Sequence, residues 1–139
     1  MKFGFCVVLL SVSYVLDVHS ARADDWGGWG IRLTTNFDPA AESIPAALNG
    51  QVVFDCATGT IDQVLSGGKG DFTASGTFTA ESGGPVRPDH LPEEKKAHYI
   101  GSVNANNEML LIVIIDDALD ATTIYHLKKG DHASLHRCE

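Results

Sequence analysis

The residues of this 139-residue chain that could do chemistry are six histidines, three cysteines and several adjacent carboxylates. His132 and His136 stand four apart, a spacing that on a helix would bring both imidazoles to one zinc ion. The surrounding pattern is that of a strand. Four positions of extended chain separate two side chains by about 13 Å, too far to share a metal. His90 and His98 flank a loop and have only Asp89 or Glu93 as companions, so no metal site is expected.

Nucleophilic catalysis lacks its parts. There is no G-x-S-x-G elbow, and Ser75 falls within a threonine-rich strand face. The carboxylate pairs Asp24-Asp25, Glu93-Glu94 and Asp116-Asp117 are sequential neighbours, which on a strand point to opposite faces and on a turn are solvated. Gly67-Gly68-Lys69-Gly70 joins two strands, so no helix N-terminus follows it to cradle a phosphate. No catalytic residue and no cofactor is assigned, and the chain is read as a non-enzyme.

The cysteines acquire a meaning from the N-terminus. Lys2 precedes the apolar run Phe3–Leu16, and Ala21-Arg22-Ala23 follows as an A-x-A cleavage signal, so residues 1–23 read as a signal peptide. The run is shorter than the ~20 residues that cross a bilayer, and no later segment spans one. Cleavage removes Cys6 and leaves Cys56 and Cys138, which in a secreted or periplasmic protein form one disulfide. A thiol protease built on Cys56 and His136 would lose its nucleophile to that bridge. The net charge of −8 disfavours nucleic acid and anionic membranes as partners.

These residues must be positioned by strands. Residues 24–48 show little pattern and are expected to be irregular, apart from a possible short strand at Ile31–Thr35; Trp26 and Trp29 there suggest a hydrophobic plug rather than a ligand platform. From 49 to 139 the chain alternates with period two. Val52, Phe54 and Cys56 share a face, with a tight turn at Ala57–Gly59. Phe72, Ala74, Gly76, Phe78 and Ala80 oppose Thr73, Ser75, Thr77 and Thr79, and the small residues at 74 and 76 suggest a bulge or a close backbone approach. The connection Glu81–Lys96, with two glycines and three prolines, is long for a compact domain. Pro92–Lys96 is read as one helical turn. Four strands follow, over 97–104, 108–116, 121–128 and 132–138. The seven-residue run Met109–Ile115 is apolar on both faces and is expected to be covered on both, since it would otherwise invite aggregation. The fold class is all-β: an antiparallel meander of six to seven strands forming a small β-barrel, or alternatively a two-sheet β-sandwich.

Gly83-Gly84-Pro85-Val86-Arg87, Tyr99-Ile100-Gly101-x-Val103, the apolar 109–115 strand and Leu135-His136-Arg137-Cys138 together resemble a group of small exported bacterial proteins of no assigned function. The likeness covers Gly50–Cys138. It implies a β-rich exported domain with a C-terminal cysteine and brings no catalytic residues.

Binding remains. The first expectation is a barrel that takes a small or apolar ligand in its mouth or interior, with the loop as a lid and Arg87, His90 and Tyr99 as contacts. The alternative is an inhibitor or partner-binding protein acting on a cationic extracytoplasmic enzyme. A third is a structural protein that associates through exposed strand edges.

Overall fold

The computed structural model describes residues 24–81, 85, 88–89, 91–116 and 122–138. Eight strands follow one another in chain order: β1 (Asp24–Gly28), β2 (Ile31–Thr35), β3 (Gly50–Phe54), β4 (Ala57–Gly68), β5 (Asp71–Ala80), β6 (Glu94–Val103), β7 (Glu108–Ile115) and β8 (Thr122–Lys129). Each pairs antiparallel with the next, and β1 pairs with β8 to close an up-and-down barrel. The barrel reading holds, with eight strands rather than six to seven.

The extra strands come from Asp24–Thr35, the stretch expected to be largely irregular. Gly27 and Gly28 disfavour a strand locally, but β1 is hydrogen-bonded on both sides, with five residue pairs to β2 and three to β8. Pairing from two neighbours overrides weak propensity. Conversely, residues 132–138 are not a barrel strand. Once β1 occupies the open side of β8, the tail has no ladder to join and makes a single parallel bridge, Ser134 to Trp29.

Two local expectations shift similarly. The turn after β3 falls at Asp55-Cys56, with Cys56 in the left-handed region at φ 56°, so Cys56 leaves the face of Val52 and Phe54. Pro92–Lys96 is not a helical turn, because Glu94, Lys95 and Lys96 pair with Thr79, Phe78 and Thr77 of β5. One turn of helix has little stability of its own, whereas extending an existing ladder adds a bond per residue.

Inward positions fill the lumen from end to end. Trp26, Ile31, Leu33, Val52, Ile61, Val64, Phe72, Tyr99, Met109, Leu111 and Val113 are all at most 2% exposed. The β2–β3 connection folds Phe37 and Ile44 over one end, where Phe37 meets Phe72 edge-on at 5.4 Å. Phe54, packed on Phe78 and Tyr125 at 5.3 and 5.6 Å, fills the other end. Eight strands enclose a space that side chains just fill, and here they do.

Closing the barrel requires tight curvature at β4–β5. The register slips twice in β4, between Ile61 and Gln63 and between Val64 and Ser66, which lets both Ile61 and Val64 point inward although three residues apart. Opposite the first slip lies Gly76, where a Cβ would fall on the Thr60 carbonyl oxygen. The bulge and the close approach expected here both occur, on facing strands. Gly76→Ala is accordingly expected to destabilise the protein by about 2–3 kcal/mol, because main chain must move to admit the methyl. Urea unfolding would measure it, and an unchanged midpoint would mean that β4 and β5 are not held this close.

Candidate functional site

At the end of β8 the chain turns back at Gly130 and runs as a strap, residues 131–138, parallel to β1 over the barrel's outer surface. Gly27 makes room for it: a Cβ there would collide with the Asp131 carbonyl oxygen and lie 2.8 Å from the Ala133 nitrogen. Gly30 N–H donates to the Ser134 carbonyl at 2.8 Å, and Ser134 N–H donates to that of Gly28 at 3.0 Å. The His136 amide donates to Asp55 Oδ1 at 2.6 Å, and its ring Nδ1 lies 3.4 Å from Asp55 Oδ2. The strap then ends on the β3–β4 turn through the Cys56–Cys138 disulfide. The bridge therefore clamps the seam where the barrel closes.

Beside the strap a groove of about 820 Å³ crosses the outside of β8 and β7, between Trp29 and Asp131 on one side and Asn104 and Glu108 on the other. Leu110, Ile124 and His126 line it. The two tryptophans thus divide. Trp26 is core, while Trp29 is 79% exposed at the groove's edge, 6.3 Å from the His136 ring.

An apolar strip continues from the groove. Ile100 of β6 pairs with Ile112 of β7, which pairs with Ile124 of β8, so three isoleucines form a row across the outer face. Leu110 and Ile114 flank the row on β7. Ile124 is 56% exposed, Ile100 39% and Leu110 38%; Ile112 and Ile114 are half-buried. The expectation that 109–115 is covered on both faces is corrected. Met109, Leu111 and Val113 point into the lumen, but a closed barrel has no second layer to cover the other face.

The residues expected to carry a site are placed as follows. Arg87 and His90 lie outside the described residues. Tyr99 is wholly buried, and its hydroxyl donates to the Thr77 carbonyl at 2.8 Å. That is a lumen position, not a loop contact. Asp24 and Asp25 do point to opposite faces: Asp24 pairs with Lys129 at 3.2 Å, and Asp25 accepts from Thr34 at 2.8 Å and lies 3.6 Å from Arg32. His98 Nε2 sits 3.4 Å from Asp116 Oδ1. Among the described residues no three His, Cys, Asp or Glu side chains converge as a metal site.

Burial raises the pKa of Tyr99 far above its ordinary 10, with the charge of Asp62 adding to the effect. Burial also raises that of Tyr125, helped by Asp55. With the folded value raised, the unfolded state loses its Tyr99 proton first. The associated stability is whole below pH 10 and falls as pH climbs above it towards the folded value. Tyr99→Phe is expected to cost about 1 kcal/mol at neutral pH, for the lost hydrogen bond. The same variant should lose less stability than wild type as pH rises from 10 upwards. Parallel losses in a pH series of urea titrations would contradict this.

The row and Trp29 could be found only in part from sequence. Met109–Ile115 signalled an apolar surface in need of cover, but nothing local placed Ile100 and Ile124 beside it. No family model, curated protein or solved structure matches the chain.

Proposed function

We propose that this chain is an exported, non-enzymatic binding protein that meets a protein partner with the outer face of β6–β8 and the adjoining groove. The observation that carries the reading is the contrast between a lumen closed by side chains and an outer surface with Trp29, Ile124, Ile100 and Leu110 open to solvent. A lumen lined throughout by buried side chains weighs against a small apolar ligand inside it, and the groove of about 820 Å³ lies outside the barrel. Small-molecule sites enclose most of their ligand, whereas an open apolar strip on a sheet suits a macromolecule.

Export is supported by the leader-like residues 1–23 and by a disulfide that needs an oxidising compartment to persist. No helix among the described residues is long and apolar enough to cross a membrane. Association through strand edges loses its basis, since a closed barrel has none. The inhibitor of a cationic enzyme is less well supported, because the apolar strip is not where the excess of acidic charge lies.

Native mass spectrometry of the protein isolated from its own host tests the proposal. The expected result is a complex of protein mass that persists with wild type and is lost with Ile124→Lys, the barrel's circular dichroism being unchanged. A small-mass adduct retained by Ile124→Lys would overturn it and return attention to a ligand site elsewhere.

A further inference from the structure

We infer that the partner on this face is a second copy of the chain, in a two-fold dimer centred on the Ile100–Ile112–Ile124 row; this rests on the reading of β6–β8 as the recognition surface. Three observations converge on it.

The first is composition. Directly paired β-branched residues on three adjacent strands are what the inner face of a β-sandwich presents, and two such faces pack in alignment at about −30° with their side chains interleaved. The row thus presents the side-chain chemistry that the same row on another copy accepts.

The second is charge. Outward positions of these strands carry Glu94, Lys96 and Asp116 at one end and Glu108 and Lys128 at the other, two bases against three acids. The chain as a whole has 10 bases against 18 acids. Between the two ends only His98 and His126 are titratable, and the row itself is uncharged. A strongly cationic or anionic partner finds little here to recognise. Another copy meets a strip equally close to balance, with Asp131 the further acid where the groove joins it, so self-repulsion across the row is small.

The third is area. Strands of eight to ten residues give a strip about 26 Å long, and three of them about 15 Å wide. That alone falls short of the ~800 Å² per partner that a stable complex buries. Reaching it takes in the groove and Trp29, so the interface extends to the strap.

Sedimentation equilibrium of the purified, disulfide-bonded protein across micromolar concentrations tests this. Wild type should sediment as a dimer. Ile112→Lys and Ile112→Glu should each weaken association by about a hundredfold or more, because each places two like charges against one another at the two-fold axis. Mixed together, the two variants should re-associate as a heterodimer. On dilution of wild type the emission of Trp29 should shift to the red as the ring meets water, and Trp29→Phe should remove that shift.

A wild-type protein that stays monomeric overturns the dimer. If its host-derived complex is still lost with Ile124→Lys, the recognition face survives that failure and only its occupant was misassigned. A dimer indifferent to charge at position 112, or variants that do not re-associate on mixing, overturns the arrangement. A dimer whose emission does not change on dilution overturns the inclusion of Trp29.

Discussion

Replacing Cys138 with serine is expected to lower the free energy of unfolding by about 4–5 kcal/mol, the loop-closure entropy of a cross-link this long. The bridge joins residues 82 apart in sequence and ties the chain's end to the β3–β4 turn. Without it the unfolded ensemble gains freedom, and the native strap is held by backbone bonds to Gly28 and Gly30 and by Asp55. The consequence is local as well as global. β1 and β8 share only three paired positions, whereas β4 and β5 share ten. The strap lies over this short seam, so amide exchange should rise first in β1 and β8, ahead of β4–β6. Urea titration and hydrogen exchange of Cys138→Ser, with reduced wild type as control, check both expectations. A loss below about 1 kcal/mol would mean that the strap stays in place unaided and the bridge adds little. Since domains of this size are stable by roughly 5–15 kcal/mol, a loss as large as expected would leave the reduced protein close to unfolding. That dependence fits a protein that works where disulfides are kept.

Trp26→Ala should cost nearly as much, about 3–5 kcal/mol. The indole is 1% exposed in the lumen, next to the same seam, opposite Lys129. Lys129 Nζ lies 5.9 Å from the ring centroid and 3.2 Å from Asp24, so the ring also supports an ion pair at the barrel's end. Truncation to alanine leaves a cavity that rigid neighbouring strands cannot collapse. Trp26→Phe should be much milder. Trp26 Nε1 is the buried side-chain polar atom without a hydrogen-bond partner among the described residues, and phenylalanine removes that donor while keeping a ring. The pair of variants, unfolded in urea and followed by circular dichroism, also tests the packed lumen. If Trp26→Ala cost less than about 1.5 kcal/mol, the indole would not be filling a close-packed space, and the interior would again be open as a ligand cavity.

The effects at Gly76, Tyr99 and the isoleucine row are smaller or act on association rather than folding. They probe separate links: strand curvature, a buried hydroxyl and an outer surface. Sites that share no partners should add independently. A combined Gly76→Ala and Ile124→Lys variant would therefore lose stability through the first change and association through the second.

Much of this architecture was legible in the order of residues. Alternation along Phe72–Ala80 set both the strand and its inward face, because side chains on regular extended chain alternate. Gly67–Gly70 marked the β4–β5 turn, and the Lys69-Gly70 pair at positive φ is where it falls. The cysteine count marked the bridge. The reading of His132 and His136 rested on a strand there, whereas residues 131–138 form a strap with a single bridge to Trp29. Periodicity and turn chemistry are local, carried by neighbouring residues, whereas the bridge between residues 82 apart was legible from the count of cysteines alone.

The tertiary structure alone decided what depends on residues far apart. Asp24–Gly28 becomes a strand because β2 and β8 pair with it, and closure of the barrel then excludes the tail from the sheet and lays it over Gly27. The two tryptophans, three residues apart, part company for the same reason: one falls inside the seam and the other on the turn beyond it. Likewise the doubly apolar Met109–Ile115 announced that both of its faces wanted cover. Only closure determined that Leu111 would receive it from the lumen, while Ile112 would be left on the outer face, beside Ile100 and Ile124.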